Sequence, residues 1–443
     1  MLYNPAGLAI AGMGFYLLLW VLAPVHLDAP LSFGGLAFIF ACYVFFIAGC
    51  VLGNKKRTTL ALYRQMPQLR GDMSSKVFWI ICVIGLIGAC LKVYDRYFIR
   101  GISLGAGLFD AREELNDAAS GPFSVIAGLL YPFSLIPLIV DLSIYRVKRL
   151  RFRRVVAALL FIFPAVDALL LLSRSQMLVS GLLIYLLISH AVHGGRLIVR
   201  KMVLVAVGIL AFLVTLSAVV FATRLEGMGH DLAYSILNSG YAFTVQPSAN
   251  LLAYIEQSGS YFTGALLTVT NFSQYLLHGI PEFCLLWDRG DSQLFTWGSQ
   301  FFFPYVKTLN ILQLANIPIP EAEDVYVRAG IFTSFFGPLW ADFGYFGLIF
   351  MLLFGFLAAR ASNAMINGNV YVTPLYLYMA LIILMMPTVN LFIGAQGIYA
   401  INAFIVFILI SKFPGTKMTP RLVAMATPSE QDLTVQDAPR AHP

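Results

Sequence analysis

The feature of this chain that most constrains its fold is a series of roughly ten apolar segments, each near the length of about 20 residues that crosses a bilayer as a helix. Backbone polar groups in lipid must be hydrogen-bonded internally, and the segments lack the alternation of polar and apolar residues typical of barrel strands. We therefore predict an all-α fold, that of a polytopic transmembrane helical protein. The predicted spans cover residues 7–25, 31–53, 77–95, 122–144, 155–172, 177–193, 202–222, 335–360, 373–393 and 398–411.

Composition excludes several classes of protein. Hydrophobic residues make up 59% of the chain and charged residues 12%, against about 25% charged in an ordinary soluble domain. The five cysteines have no metal-ligand spacing, and the sequence contains no Walker motif and no dinucleotide-binding glycine pattern. The net charge of +7 could indicate a nucleic acid partner, but the location of the charges matters more than their sum. We predict contact with membrane lipid, and no nucleic acid, metal or cofactor.

The distribution of basic residues predicts the orientation in the membrane. Twenty of the 29 Lys and Arg residues lie in the segments 54–76, 145–154 and 194–201, at Arg360 and from Lys412 to the C-terminus. The positive-inside rule makes these segments, and therefore both termini, cytoplasmic. The other nine basic residues are predicted to be periplasmic or embedded: Lys92, Arg96, Arg100, Arg112, Arg174, Arg224, Arg289, Lys307 and Arg328.

This orientation divides the chain into four parts. Residues 1–222 hold membrane helices joined by basic cytoplasmic loops, 223–334 form one large periplasmic or interfacial segment, 335–412 hold the C-terminal membrane helices, and 413–443 form a polar tail predicted to be disordered. Two apolar patches in the large segment, at 233–255 and 261–287, are interrupted by polar residues and proline. We interpret them as interfacial or partly re-entrant helices. If both cross the membrane, the count rises from about ten to about twelve spans.

Arg174 is the most informative single position. It lies at the outer tip of a hairpin with short arms, where a guanidinium is costly unless it faces a cavity or a partner. Asp167 lies two helical turns earlier on the same face and is itself unusual inside a span. We interpret Arg174 as an anion-binding residue in a polar cleft. The alternatives are a structural pair or an arginine that extends to the surface.

Three further outer arginines, Arg224, Arg289 and Arg328, stand beside span ends or apolar turns. The planar guanidinium binds phosphate oxygens bidentately and keeps its proton. Together with Arg174, these residues are our candidates for holding a diphosphate leaving group, on which negative charge builds as a sugar bond breaks. Ordinary interfacial charge is the alternative for each of them.

Glu282 is the candidate general base, with His278 beside it as an alternative. A carboxylate or imidazole can take the proton of a hydroxyl that attacks an anomeric carbon. A carboxylate simply paired with Arg289 is the competing interpretation for Glu282. Asp342 could also be the base, but a role in capping or orienting the entry of the following helix fits its position better.

Several local sequences, in their order and predicted topology, resemble the oligosaccharide repeat-unit polymerases, the Wzy-type O-antigen and exopolysaccharide polymerases. The resemblance covers the layout of most of residues 1–412. The local sequences are Ser173-Arg174, Thr223-Arg224, His278-Gly-Ile-Pro-Glu282, Phe295-Thr-Trp-Gly298, Phe332-Thr-Ser and Asp342-Phe-Gly344-Tyr-Phe-Gly347.

The resemblance implies a metal-independent, lipid-diphosphate-dependent glycosyltransferase of the bacterial inner membrane. Such polymerases transfer a growing glycan from undecaprenyl diphosphate to the terminal sugar of a new lipid-linked repeat unit at the periplasmic face. They use no nucleotide sugar and work with a flippase and a chain-length regulator. About twelve spans are typical of the family, so this sequence departs from it unless residues 233–287 also cross.

Two other functions fit the same layout. An O-antigen ligase would hand a finished glycan to lipid A core and differs in its acceptor. A transporter or flippase for lipid-linked oligosaccharides would be favoured by internal symmetry, of which the sequence has no convincing sign.

Overall fold

The computed structural model describes residues 2–54, 75–102, 121–143, 151–170, 174–227, 232–257, 262–290, 295–393 and 395–410. Nearly all regular structure in these ranges is helical, which confirms the predicted all-α fold. The predicted tail 413–443 and most of the basic loop 54–76 lie outside the described residues.

The described helices fall into three groups along the chain. The N-terminal group is α1 (Pro5–Leu22), α2 (Phe33–Gly53), α3 (Ser75–Tyr94), a π-helical turn (Asp95–Ile99), α4 (Pro122–Leu130), α5 (Ile136–Ser143), α6 (Arg151–Leu170), α7 (Arg174–His193) and α8 (Arg200–Gly227). The central group is α9 (Leu232–Asn238), α10 (Ala249–Gln257), α11 (Phe262–Leu277), α12 (Gly279–Asp288), α13 (Phe303–Ile311) and α14 (Ala322–Val325). The C-terminal group is α15 (Phe336–Phe343), α16 (Gly347–Ile366), α17 (Thr373–Met385) and α18 (Ala395–Ile410).

Six helical stretches are long and apolar enough to cross a membrane, and large apolar side chains are exposed along them. These helices support a helical membrane protein, whereas its multi-pass arrangement, the count of about 10–12 spans and the periplasmic location of 223–334 stay predictions. Two shorter apolar helices follow near the C-terminus, Val370–Met385 and Gly397–Ile410. The six stretches are Pro5–Leu22, Phe33–Gly53, Lys76–Ile99, Pro122–Ser143, Gln176–His193 and Phe336–Ile366.

Helices α2 and α16 form the tightest described pair, because glycines bring their backbones together. A Cβ atom on Gly49 would lie 1.9 Å from the carbonyl oxygen of Leu352, and one on Gly355 would lie 2.1 Å from that of Phe46. Small residues at such contacts are how membrane helices gain packing energy without a hydrophobic driving force. Helix α15 and the loop before it lead directly into α16, so this pair supports them.

Helix α17 ends at Met385, eight residues before the end of the predicted span 373–393, and this part of the prediction was wrong. Pro387 lacks an N–H, so it cannot donate the next hydrogen bond of the helix. The chain then runs as buried non-helical backbone, in which Val389 forms a parallel bridge with Ser334. Non-helical backbone within a membrane domain is tolerated where protein buries it or where it lines a cavity.

The two apolar patches of the central segment are broken into short elements. The first patch contains α9, α10 and a strand β2 (Val245–Pro247), which pairs antiparallel with β1 (Val25–Leu27). The second is α11 and α12, separated by a turn at His278. Neither is among the six membrane-length stretches found in the described residues. The interruption by polar residues and proline that the sequence indicated is thus present.

Candidate functional site

The structure contains a cavity of about 730 Å³ between the end of α3 and the central and C-terminal segments. Its lining combines basic, aromatic, apolar and hydroxyl side chains, so it suits a ligand with an anionic group and a less polar body. One wall comes from α3, the π-helical turn and α4. The other comes from α13, residues 326–338 and the non-helical residues before α18.

Among the residues that the structure describes, four basic side chains line this cavity. Lys92, Arg96 and Arg100 lie at intervals of four residues along the end of α3 and the turn that follows it, and Lys307 belongs to α13 on the other wall. Arg96 lies within the π-helical turn Asp95–Ile99, a geometry that occurs frequently at functional sites. This convergence makes the cavity a candidate anion-binding site.

Two buried carboxylates pair with the three cations of the α3 wall. Asp167, on α6, accepts from Arg96 through Oδ1 and lies 2.8 Å from the Lys92 ammonium through Oδ2. Asp95 Oδ2 lies 3.0 Å from Arg100 Nε, and Arg100 also donates to the Ser124 hydroxyl at 2.6 Å. With Lys307, these described groups carry four positive and two negative charges, so the described part of the site has a positive surplus.

Apart from Lys307, the opposite wall consists mainly of aromatic and uncharged polar residues. It includes Phe303, Tyr326, Phe332 and Tyr399, whose faces and hydroxyls are suited to sugar rings. Ser334 also lines the cavity and has a φ of 59°, a left-handed conformation that non-glycine residues rarely adopt. Backbone strain of this kind tends to lie at ligand sites.

Glu282, the candidate base, is 2% exposed and forms an ion pair with Arg328, the arginine predicted to bind diphosphate. Thr244 Oγ1 also donates to Glu282 Oε1 at 2.9 Å. Burial raises the pKa of Glu282, while the hydrogen bonds and charge of Arg328 and the Thr244 hydroxyl act in the opposite direction. The described cation paired with Glu282 is therefore Arg328, and not the Arg289 of the competing interpretation.

Arg328 is positioned by a second set of contacts. Its Nη1 donates to the carbonyl of Gly240 at 2.5 Å, and its guanidinium lies 4.5 Å from the ring centroid of Phe243. A Cβ atom on Gly240 would in turn meet Ile331, which lines the cavity. The Glu282–Arg328 pair thus supports the cavity wall from behind and is not part of its lining.

His278 and Arg289 also contact the cavity wall from behind. His278 is fully buried, donates from Nδ1 to the Gln274 carbonyl at 3.0 Å and packs against Phe332 with ring centroids 6.1 Å apart. Arg289 donates to the carbonyl of Tyr326 at 3.1 Å. Since Phe332 and Tyr326 line the cavity, both predicted residues hold wall residues in place.

Asp342 fixes the loop that precedes α13. It is fully buried, and it accepts from the Thr296 hydroxyl and from the backbone N–H groups of Gln300, at 3.0 Å, and Phe301. Gln300 lines the cavity. The orienting role that the sequence favoured for Asp342 agrees with these contacts, although the element it orients is this loop.

The structure describes the backbone but not the side chains of the other two predicted arginines. Arg174 begins α7, and Arg224 lies in the last turns of α8. Gln176, two residues after Arg174, interacts with Tyr131, which lines the cavity. The beginning of α7 therefore lies beside the site. Asp167, which the sequence suggested as a partner of Arg174, binds Lys92 and Arg96.

No role was predicted for four of the outer or embedded cations, namely Lys92, Arg96, Arg100 and Lys307. Three of them could have been found, because a spacing of four residues at the end of a span puts cations on one helical face. Lys307 carries no such signal, since only the folded chain brings α13 to the same cavity.

Comparisons with family models, curated proteins and solved structures found no match to this chain.

Proposed function

We propose that this protein is a glycosyltransferase that polymerises undecaprenyl-diphosphate-linked oligosaccharide repeat units at the periplasmic face of the bacterial inner membrane. The observation that carries the proposal is the convergence of Lys92, Arg96, Arg100 and Lys307 on one cavity of about 730 Å³ in an apolar helical protein. A lipid-linked diphosphate sugar has the matching chemistry, with an anionic group between an apolar tail and a carbohydrate.

The position of the cavity relative to the basic loops supports the proposed orientation. Lys92 and Arg96 are at the end of α3 that is remote from the basic segment 54–76. Asp167 is likewise near the end of α6 remote from Arg153, about 20 Å along the axis at 1.5 Å per residue. If the basic segments are cytoplasmic, the cavity opens on the periplasmic side.

The proposed reaction needs charge neutralisation and a proton acceptor. The sugar hydroxyl of the incoming repeat unit attacks the anomeric carbon of the growing glycan, the bond to the diphosphate oxygen breaks, and the hydroxyl proton moves to a base. The basic side chains stabilise the diphosphate as it leaves, which is a role that arginine and lysine fill without a metal. Arg174 and Arg224 stay candidates for the same role.

Asp95 is the carboxylate that suits the role of base best. It lines the cavity, is 3% exposed and uses Oδ2 for Arg100. Glu282 and Asp342, in contrast, are bound by Arg328 and by the loop 296–301 behind the wall. We therefore assign proton abstraction to Asp95, and assign Glu282, His278 and Asp342 to holding the wall.

The glycan phenotype of a deletion strain tests the proposal. Loss of the polymer ladder with a single repeat unit retained is expected, and complementation with Arg96→Ala should leave that phenotype unchanged. Arg154→Ala is the matched control, since Arg154 is paired with a buried acid, Asp141, outside the cavity. It should restore the ladder.

The other outcomes identify the alternative functions. Loss of all glycan attached to lipid A core, with intact polymer on its lipid carrier, would indicate a ligase. Loss of repeat units from the periplasmic face would indicate a flippase. The flippase and the chain-length regulator of the same pathway are the functional partners that the polymerase proposal implies.

A further inference from the structure

Asp167 is a buried acid that binds two cavity cations without belonging to the cavity lining. We propose that Asp167 is a positioning residue, which holds Lys92 and Arg96 side by side so that both can bind one diphosphate group. This inference rests on the proposed use of the cavity for a polyprenyl diphosphate. It extends the proposed site to Asp167 on α6, whereas the two cations that Asp167 orients lie on α3 and the turn after it.

The contacts of Asp167 divide its two oxygens between the two cations. Oδ1 accepts from Arg96 Nη1, and Oδ2 lies 2.8 Å from Lys92 Nζ. The Lys92 ammonium also lies 3.8 Å from the ring centroid of Tyr131, on a third side. Since Asp167 is 5% exposed, its carboxylate has little freedom to take another position.

The physical need for this acid follows from the location of the cations. Lys92 and Arg96 are one helical turn apart in an apolar stretch, and like charges at that spacing repel. Long basic side chains in such a place turn toward water unless a partner retains them. A carboxylate between them removes the repulsion and fixes both heads.

The pairing with Asp167 is compatible with a bound anion. A guanidinium has five N–H donors and an ammonium three, so each cation keeps donors for a second acceptor after one contact with the carboxylate. Both cations also line the cavity. An incoming diphosphate can therefore bind between them while Asp167 stays in place behind.

Asp141 provides a matched control within the same protein. It is also 5% exposed and also contacts two cations, with Arg153 Nε 3.6 Å from Oδ1 and Arg154 Nε 3.2 Å from Oδ2. Neither of these arginines lines the cavity. Replacing Asp141 therefore removes a comparable buried acid without disturbing the proposed site.

The test is equilibrium binding of farnesyl diphosphate to the purified full-length protein in nanodiscs, with farnesol as the uncharged probe. Asp167→Asn should weaken the affinity for farnesyl diphosphate about tenfold or more, because misplaced binding groups lose most of their effect. Asp167→Glu, which keeps the charge, should recover part of the loss. Asp141→Asn should leave the affinity unchanged, and no variant should alter farnesol binding.

Three results would overturn the inference. They are equal affinities of the Asp167→Asn and Asp141→Asn variants for farnesyl diphosphate, no binding of farnesyl diphosphate by the unmodified protein, and a loss of farnesol binding in parallel. Thermal unfolding of both variants measures the structural cost, which should be similar for the two acids. If binding depends on Asp167 but the deletion strain keeps its polymer ladder, the inference stands and the polymerase proposal fails.

Discussion

The guanidinium of Arg328 pairs with the buried carboxylate of Glu282 across two segments that are 46 residues apart in the chain. From the sequence, these residues were predicted to have different roles, phosphate binding and proton transfer. Their pairing joins α12 to the segment that carries the cavity residues Gly330 and Ile331. The same pair also anchors residue Gly240 through its carbonyl.

Arg328→Ala should destabilise the protein, because it leaves the Glu282 carboxylate buried without its cation. Breaking a buried pair from one side costs about 3–5 kcal/mol. The double variant Glu282→Gln with Arg328→Ala should lose less stability than Arg328→Ala alone, since it removes the uncompensated charge. Thermal unfolding in detergent measures both. Equal losses in the single and double variants would contradict a stabilising ion pair.

Asp342→Asn should reduce activity by loosening the loop that carries Gln300. Each carboxylate oxygen of Asp342 accepts a hydrogen bond from a backbone N–H. An asparagine side chain retains one of these acceptor oxygens, but its NH2 group replaces the other and cannot accept a hydrogen bond. We expect a loss of about tenfold in polymer formed, because small displacements of a site wall are costly. Asp288→Asn is the control, as Asp288 is exposed at the end of α12. A normal ladder in the Asp342→Asn strain would contradict this role.

Helices could be predicted from the sequence where local residues determine them, whereas the residues that line the cavity could not. Apolar runs of membrane length determine helices regardless of their neighbours, so α1, α2 and α3 match predicted spans within a few residues. Hydropathy also continues through Met386 and Val389, which is why the predicted span beginning at residue 373 was too long. The end of α17 is set by Pro387 and by pairing with residues 334–335.

The choice of site residues depended on tertiary contacts that the sequence does not contain. Asp167 was noticed as an unusual acid, but its contacts with Lys92 on α3 and with Arg96 in the turn that follows could not be predicted from the sequence. His278, Glu282 and Asp342 were predicted as candidate bases, and all three are buried. Which of several buried polar groups faces a cavity depends on how separate helices pack.

Gly49→Ala and Gly355→Ala should each destabilise the contact between α2 and α16. The added methyl would lie 1.9 Å from a backbone oxygen in the first variant and 2.1 Å in the second, so the helices must move apart. Overpacking of this kind costs about 1–3 kcal/mol. Gly14→Ala is the control, because a Cβ atom there meets nothing within 4 Å and alanine favours the helix. Unchanged melting temperatures in the first two variants would argue against the close contact.

Replacing Lys307 tests whether diphosphate binds in the cavity or at the arginines that were predicted from the sequence. Lys307→Ala should weaken farnesyl diphosphate binding about tenfold, because it removes a charge from the wall opposite Arg96. Lys307→Arg should retain most of the affinity. Arg289→Ala should lower the melting temperature with a smaller change in affinity, since Arg289 donates to the Tyr326 carbonyl behind the wall.

The salt dependence of farnesyl diphosphate binding shows whether Lys307→Ala and Arg289→Ala act by removing a charge from the cavity or by displacing its wall. Interactions between partly exposed charges are screened by salt. The affinity of the unmodified protein should therefore fall more steeply with salt than that of Lys307→Ala, whereas Arg289→Ala should keep the slope of the unmodified protein. Titration of farnesyl diphosphate at two salt concentrations measures these slopes. If the affinity instead falls steeply with salt in Lys307→Ala and only slightly in Arg289→Ala, the diphosphate binds at Arg289 and the residues around it, not in the cavity.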